Sequence, residues 1–227
     1  MTVLKKQNPG LQLMAHHRQS NLVLVTFLLL ALGPTTLFFS CKEHEGLPIL
    51  GNREIKDGDT LFHTVPDMIL TDQDSQAFPL SKLGNKVVLA DFFFTSCPSI
   101  CPRVKKEMLR LYDRYLTDER VMFVSHTIDP RHDSVSVLKR YAHNLGVNTV
   151  NWKFVTGEKD SIFHLADTYF VSVVDDPSAP AGFDHSGRII LLDKNRHIRG
   201  FCEGTDPNSV TAFFETIDQL LKEEYAP

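Results

Sequence analysis

KVVLADFFFTSCPSICP, residues 86–102, joins a nearly continuous apolar run to two cysteines four residues apart. The run Lys86–Phe94 is rich in valine and phenylalanine, the composition of a central strand buried on both faces. Cys97 and Cys101 follow it directly, and each is followed by a proline. The chain has only four cysteines, so two packed into one turn point to chemistry at sulfur: a redox couple, a metal site, or both. The spacing is CxxxC, not the CxxC of ordinary dithiol oxidoreductases.

A helix beginning after Cys97 would present unpaired N–H groups and the positive end of its dipole to both sulfurs. Both thiols are therefore expected to have depressed pKa values. Pro102 is tolerated near a helix start because no intrahelical bond is lost there. Cβ atoms at i and i+4 of a helix lie ~5–6 Å apart, whereas a disulfide wants ~3.5–4.5 Å. A metal ion between the sulfurs relaxes that demand, with bonds of about 2.3 Å. Dithiolate ligation selects soft ions, Cu(I) above all, with Zn(II) as the other candidate. A disulfide remains accessible after local rearrangement.

Further along, apolar residues at 104, 108, 111, 112 and 115 give a helical period over Val104–Leu116. Val121–Ile128 reads as the next buried strand and Ser134–Leu145 as a helix ended by Gly146. Trp152–Val155 is a short strand and Lys159–Ala166 a helix. Arg188–Leu192 and His197–Phe201 form a hairpin, and Pro207–Glu223 is the closing helix. Upstream, Phe62–Thr64, Met68–Leu70 and Phe78–Leu80 are short candidate strands. This order predicts an α/β fold: a thioredoxin-like mixed sheet flanked by helices, with an N-terminal β-hairpin extension. That fold carries a dithiol after a central strand, where His185, in the loop before Arg188, can supply a third ligand. Two thiolates and one imidazole hold copper in both oxidation states. His126, ending the next strand, points to the same edge and is a candidate ligand or transfer-path residue.

The N-terminus has a different character. Leu22–Phe39 is an uncharged run of 18 residues, close to the ~20 needed to span a bilayer. Lys5, Lys6 and Arg18 are the only charged residues before 42, which places residues 1–20 in the cytoplasm and the rest beyond the membrane. Residues 21–41 read as a transmembrane anchor or a lipoprotein signal ending at Cys41, 42–60 as a polar tether and 61–227 as the copper-binding domain. The soluble domain is therefore expected on the far side of a membrane, where exposed cysteines oxidise readily. From residue 42 onward there are 21 basic and 28 acidic side chains, a balance of −7 that argues against nucleic acid as a partner.

These segments together resemble the SCO/SenC family of copper-binding proteins. The resemblance rests on Asp91–Pro102, Ile128–Ser134, Asp184-His185-Ser186, and Leu192-Asp193 with Arg199-Gly200, in the family's order and spacing over about residues 60–225. It implies an inner-membrane location with the tethered domain facing the periplasm, and copper held by Cys97, Cys101 and His185. It also implies a role in assembling the dinuclear copper A centre of cytochrome c oxidase subunit II. Another copper chaperone or a thiol reductase would be a further partner. Asp91 matches an aspartate close to the copper site and would support it by orientation or field. The chain departs from the family at His126, where a phenylalanine or similar residue is usual, and at Cys202, usually aromatic and read here as a buried inert thiol. No proline stands directly before Arg188, where thioredoxin-like reductases carry a cis-proline, and this favours a metal over a disulfide substrate. The alternatives to a metallochaperone are a thiol–disulfide oxidoreductase acting on the copper A cysteines, a copper or redox sensor and, less well matched, a peroxidase.

Overall fold

The computed structural model describes residues 46–179 and 182–226. The apolar run Leu22–Phe39 and Cys41 lie outside the described residues, as does everything assigned to segments 1–20 and 21–41. Among the described residues no helix is long and apolar enough to cross a membrane.

The core is a seven-stranded mixed sheet. Its strands are β3 (Ile69–Asp72), β4 (Ala77–Pro79), β5 (Val87–Phe93), β6 (Val121–Thr127), β7 (Trp152–Thr156), β10 (Arg188–Leu192) and β11 (Ile198–Glu203). They lie in the order β11-β10-β5-β6-β7-β3-β4, with β5, β6 and β7 parallel and the other neighbours antiparallel. Every residue of β5 and β6 is buried, which is why these two read as uninterrupted apolar runs. Two further hairpins stand outside the sheet: β1 (Arg53–Lys56) with β2 (Asp59–Phe62), and β8 (Val173–Asp175) with β9 (Phe183–His185).

Four helices cover the sheet: α1 (Ile100–Tyr115), α2 (Val135–Leu145), α3 (Lys159–Thr168) and α4 (Pro207–Tyr225). Alternation along β5 sends Phe93 and Phe92 to opposite faces. Phe93 meets both Lys105 of α1 and Tyr141 of α2. Arg114 and Tyr115 of α1 bind Asp218 of α4, so α1, α2 and α4 share one face. Phe92 lies against Tyr169, which caps α3 on the other. Met108 and Leu111 of α1 are fully buried, each worth about 1.5–3 kcal/mol of transfer free energy. Gly146 ends α2 in the left-handed region (φ 71°), as anticipated.

Helix α1 begins at Ile100, so Cys101 sits in its first turn, in keeping with a helix that starts after Cys97. Elsewhere the structure differs from the sequence reading. The β8–β9 hairpin was not anticipated, because its strands are three residues long and largely exposed, with no run to betray them. The stretch read as a polar tether up to residue 60 contains β1, and at its start Leu47 is fastened to the domain. Its N–H donates to Glu223 and its carbonyl accepts from Arg199 at 2.6 Å.

Candidate metal centre

Cys97 lies in the loop between β5 and α1, Cys101 in the first turn of α1, and His185 at the end of β9. Their ligand atoms all lie within 4.8 Å of one another, and all three residues are buried. Cys101 Sγ is 3.5 Å from His185 Nε2. His185 Nδ1 faces the carbonyl of Ser186 at 3.2 Å. Donation of the Nδ1 proton there leaves the Nε2 lone pair pointing at the sulfurs, the tautomer a metal ligand needs.

The loop carrying Cys97 is clamped from below. Asp133 accepts from the Thr95 N–H at 3.0 Å, from the Thr95 hydroxyl and from the Thr127 hydroxyl. This ties the end of β5 to the β6–α2 connection. The loop after His185 is held by close backbone approach. Gly204 N–H donates to the Gly187 carbonyl at 2.8 Å, and a Cβ on Gly204 would sit 2.7 Å from that same oxygen, too close for any other residue.

The two thiols are not equivalent, and this corrects the expectation that both would be acidified. Burial works against the Cys97 thiolate, but the N–H groups of Cys101 and Ser99 and the neighbouring side chains outweigh it, and its pKa is lowered. Cys101 lies deeper; burial dominates there and pushes its thiol well up. The helix N-terminus acts on the first sulfur, whereas the second is enclosed by protein. Burial also lowers the His185 pKa, with the Ser186 carbonyl partly opposing, so the imidazole is held in its neutral, metal-binding form.

Asp91 touches none of the three. Its carboxylate receives Lys105 Nζ at 2.7 and 3.0 Å and the Ser125 hydroxyl at 2.5 Å, while Trp152 Nε1 donates to that hydroxyl at 2.9 Å. The Lys105 ammonium also lies 4.1 Å from the centroid of the Phe93 ring. Lys105 stands one turn beyond Cys101, so Asp91 anchors the helix that carries that sulfur, and its charge also acts on the His185 ring, favouring the protonated form against burial. Burial lowers the Lys105 pKa, against the Asp91 charge that raises it. The sequence reading passed over Lys105 and the clamp at Asp133. A signal existed for the first: Lys105 falls between Val104 and Met108 on the apolar stripe of α1, where an unpaired charge would be intolerable.

His126 is not part of the gathered group. Its ring stacks on Phe92 at 4.8 Å on the α3 face, Nδ1 faces the Asp91 carbonyl at 3.3 Å, and Nε2 is buried without a partner. Burial lowers its pKa to about 4 from 6.5. Between those two values the unfolded chain binds a proton that the folded chain refuses, so stability falls as pH drops through this window. His126→Phe should remove a component on the order of 2–3 kcal/mol from the stability difference between pH 7 and pH 4.5, read by urea unfolding at both values. Identical pH profiles for the two proteins would show that this ring is not held neutral. Cys202, on β11, is buried and free, and burial pushes its thiol up to about 12, which makes it inert.

Residues 57–222 match the family model described as SCO1/SenC. The chain belongs to the SCO1/SenC family. The SCO1 protein homolog of Bacillus subtilis strain 168 is 31% identical over 144 residues, covering 63% of this chain and 74% of its own length. An SCO2-like protein of Rickettsia felis is 27% identical over 208 residues, covering 87% and 98%. A solved SCO1/SenC family lipoprotein from Bacillus anthracis matches with a TM-score of 0.63 at 25% identity, over 69% of this chain and 94% of that one. BsSco, described as a member of the Sco family of cytochrome c oxidase assembly proteins, gives a TM-score of 0.62 at 26% identity, over 74% and 97%. The mixed sheet flanked by helices is the thioredoxin-like fold of these Sco structures. Two thiols and an imidazole brought together in such a fold form a set suited to copper.

Proposed function

We propose that this SCO1/SenC protein carries copper on Cys97, Cys101 and His185 and passes it by ligand exchange to the copper A site of cytochrome c oxidase subunit II. The domain acts from a membrane tether on the periplasmic side. The observation that carries this reading is the donor set: two sulfurs and a neutral imidazole within 4.8 Å of one another. Its softness suits Cu(I), and its imidazole accommodates Cu(II) as well. The description of the BsSco relative as belonging to a family of oxidase assembly proteins supports the destination. The apolar run Leu22–Phe39 supports the tether.

A second reading draws on the unequal thiols. A lowered Cys97 beside a raised Cys101 is the arrangement of an attacking thiolate with a resolving thiol. Two such thiols close to a disulfide as a partner disulfide is reduced to two thiols, and here the substrate would be the copper A cysteines themselves. Deleting the gene separates the two roles. Loss of oxidase activity that is restored by added copper is the expected result. Restoration by a membrane-permeant thiol reductant and not by copper would select the dithiol enzyme, and unaltered oxidase activity would overturn both.

A further inference from the structure

A cavity of about 360 Å³ opens between α1 and α2, on the face of the sheet opposite α3. Cys97 and Cys101 line it together with the apolar Leu109 and Leu145 and the basic Lys105 and Lys106. His185 is not among the lining residues, and its hairpin packs against α3 through Phe183 and Phe163. The cavity thus reaches the sulfurs without being lined by the imidazole. No carboxylate lines it, although the chain from residue 42 onward carries a balance of −7. Lys105 is committed to Asp91, but Lys106 is exposed and makes no ion pair among the described residues. One free ammonium on an acidic protein, beside apolar side chains and two sulfurs, selects a ligand with matching parts.

We propose that this cavity receives the exchanging segment of the partner protein: a cysteine flanked by an apolar residue and a neighbouring acidic one. The cysteine sulfur reaches the Cys97–Cys101 pair, the carboxylate meets Lys106, and the apolar neighbour lies on Leu109 and Leu145. The lining includes Leu109, Tyr141 and Leu145 as well as the sulfurs, which suits the flanks of a cysteine within a chain better than a free thiol. The proposal deepens the copper reading by naming the chemistry of the exchange partner. Its test uses the metal-free protein, so the two can fail separately.

In the metal-free full-length chain, Cys97 is alkylated in parallel by iodoacetate and iodoacetamide, which share a leaving group and differ in charge. The iodoacetate-to-iodoacetamide rate ratio at Cys97 should exceed that of N-acetylcysteine amide on the order of fivefold, through the nearby ammonium. Lys106→Gln, at an exposed position, should return the ratio to that of the free thiol. In a second arm, the reduced peptides Ac-Leu-Cys-Glu-Leu-NH2 and Ac-Leu-Cys-Gln-Leu-NH2 are titrated against ¹⁵N-labelled protein. The glutamate peptide should shift the amides of Lys106 and Leu145 and bind on the order of tenfold more tightly than its glutamine counterpart. Equal alkylation ratios in wild type and Lys106→Gln would overturn the charge assignment. A raised alkylation ratio with no peptide shifts would overturn the peptide occupant and assign the cavity to small anionic thiols.

Discussion

Cys101→Ser is expected to lower copper(I) affinity by at least about 100-fold. Residues that merely orient a ligand typically contribute 10–100-fold to metal affinity, and Cys101 is itself a ligand in the proposed site. It is also the member nearest the imidazole, 3.5 Å from His185 Nε2. A serine hydroxyl in its place is hard, poorly matched to Cu(I), and leaves Cys97 and His185 as an incomplete pair. His185→Ala should weaken binding less, because both sulfurs remain. Cys202→Ser should leave it unchanged, since Cys202 is not among the gathered atoms. Competition with a chromophoric Cu(I) chelator measures all three. Unaltered affinity in Cys101→Ser would remove the proposed site. The raised Cys101 pKa adds a pH signature. Copper binds the thiolate, so a proton must leave Cys101 throughout the range from pH 6 to 9. Apparent affinity should therefore rise at least about tenfold per pH unit across that range.

Lys105→Met is expected to cost about 3–5 kcal/mol of folding stability, the usual penalty for stranding one charge of a buried pair. Lys105 and Asp91 are 3% and 0% exposed, so neither can recover water when its partner is removed. The carboxylate left behind would keep only the Ser125 hydroxyl, and that hydroxyl also anchors the Trp152 indole. Asp91→Val alone should cost a similar amount. The double variant should recover most of the loss, because removing both charges also removes the desolvation penalty they share. Urea unfolding of the four proteins gives the coupling directly, with at least about 2 kcal/mol expected between the sites. Strict additivity would show that the pair is not coupled. The same variants ask how far the buried network matters for the metal. Lys105 is on the helix that carries Cys101, so a shift of that helix would appear as weaker copper binding in Lys105→Met.

Much of the site was legible because it is written in consecutive residues. The strand Val87–Phe93 is buried on both faces, and only an unbroken apolar run satisfies that; the cysteines follow it within one turn. His185 was legible through its place before β10, since antiparallel pairing of β10 with β5 brings the start of β10 to the end of β5. Other features were not. The opposite shifts of Cys97 and Cys101 depend on depth, and two cysteines in one motif look alike until the helix closes over the second. The exclusion of His126 came from strand alternation, which turns it onto Phe92 and the α3 face while Asp91 and Ser125 face α1.

The sequence by itself determined the strand–dithiol–helix unit, the alternation of strands and helices that makes the sheet mixed, and the soft donor set. Those follow from local periodicity and from the chemistry of side chains close together in the chain. Tertiary structure alone decided which sulfur is the acidic one, that Asp91 pairs with Lys105 and touches none of the three sulfur and imidazole ligands, and that a cavity bearing the free Lys106 reaches the cysteines between α1 and α2. Each of these depends on burial and on neighbours far apart in sequence: desolvation sets the thiol pKa values, an ion pair spans from β5 to α1, and the cavity joins α1 to α2. No window of contiguous residues contains them.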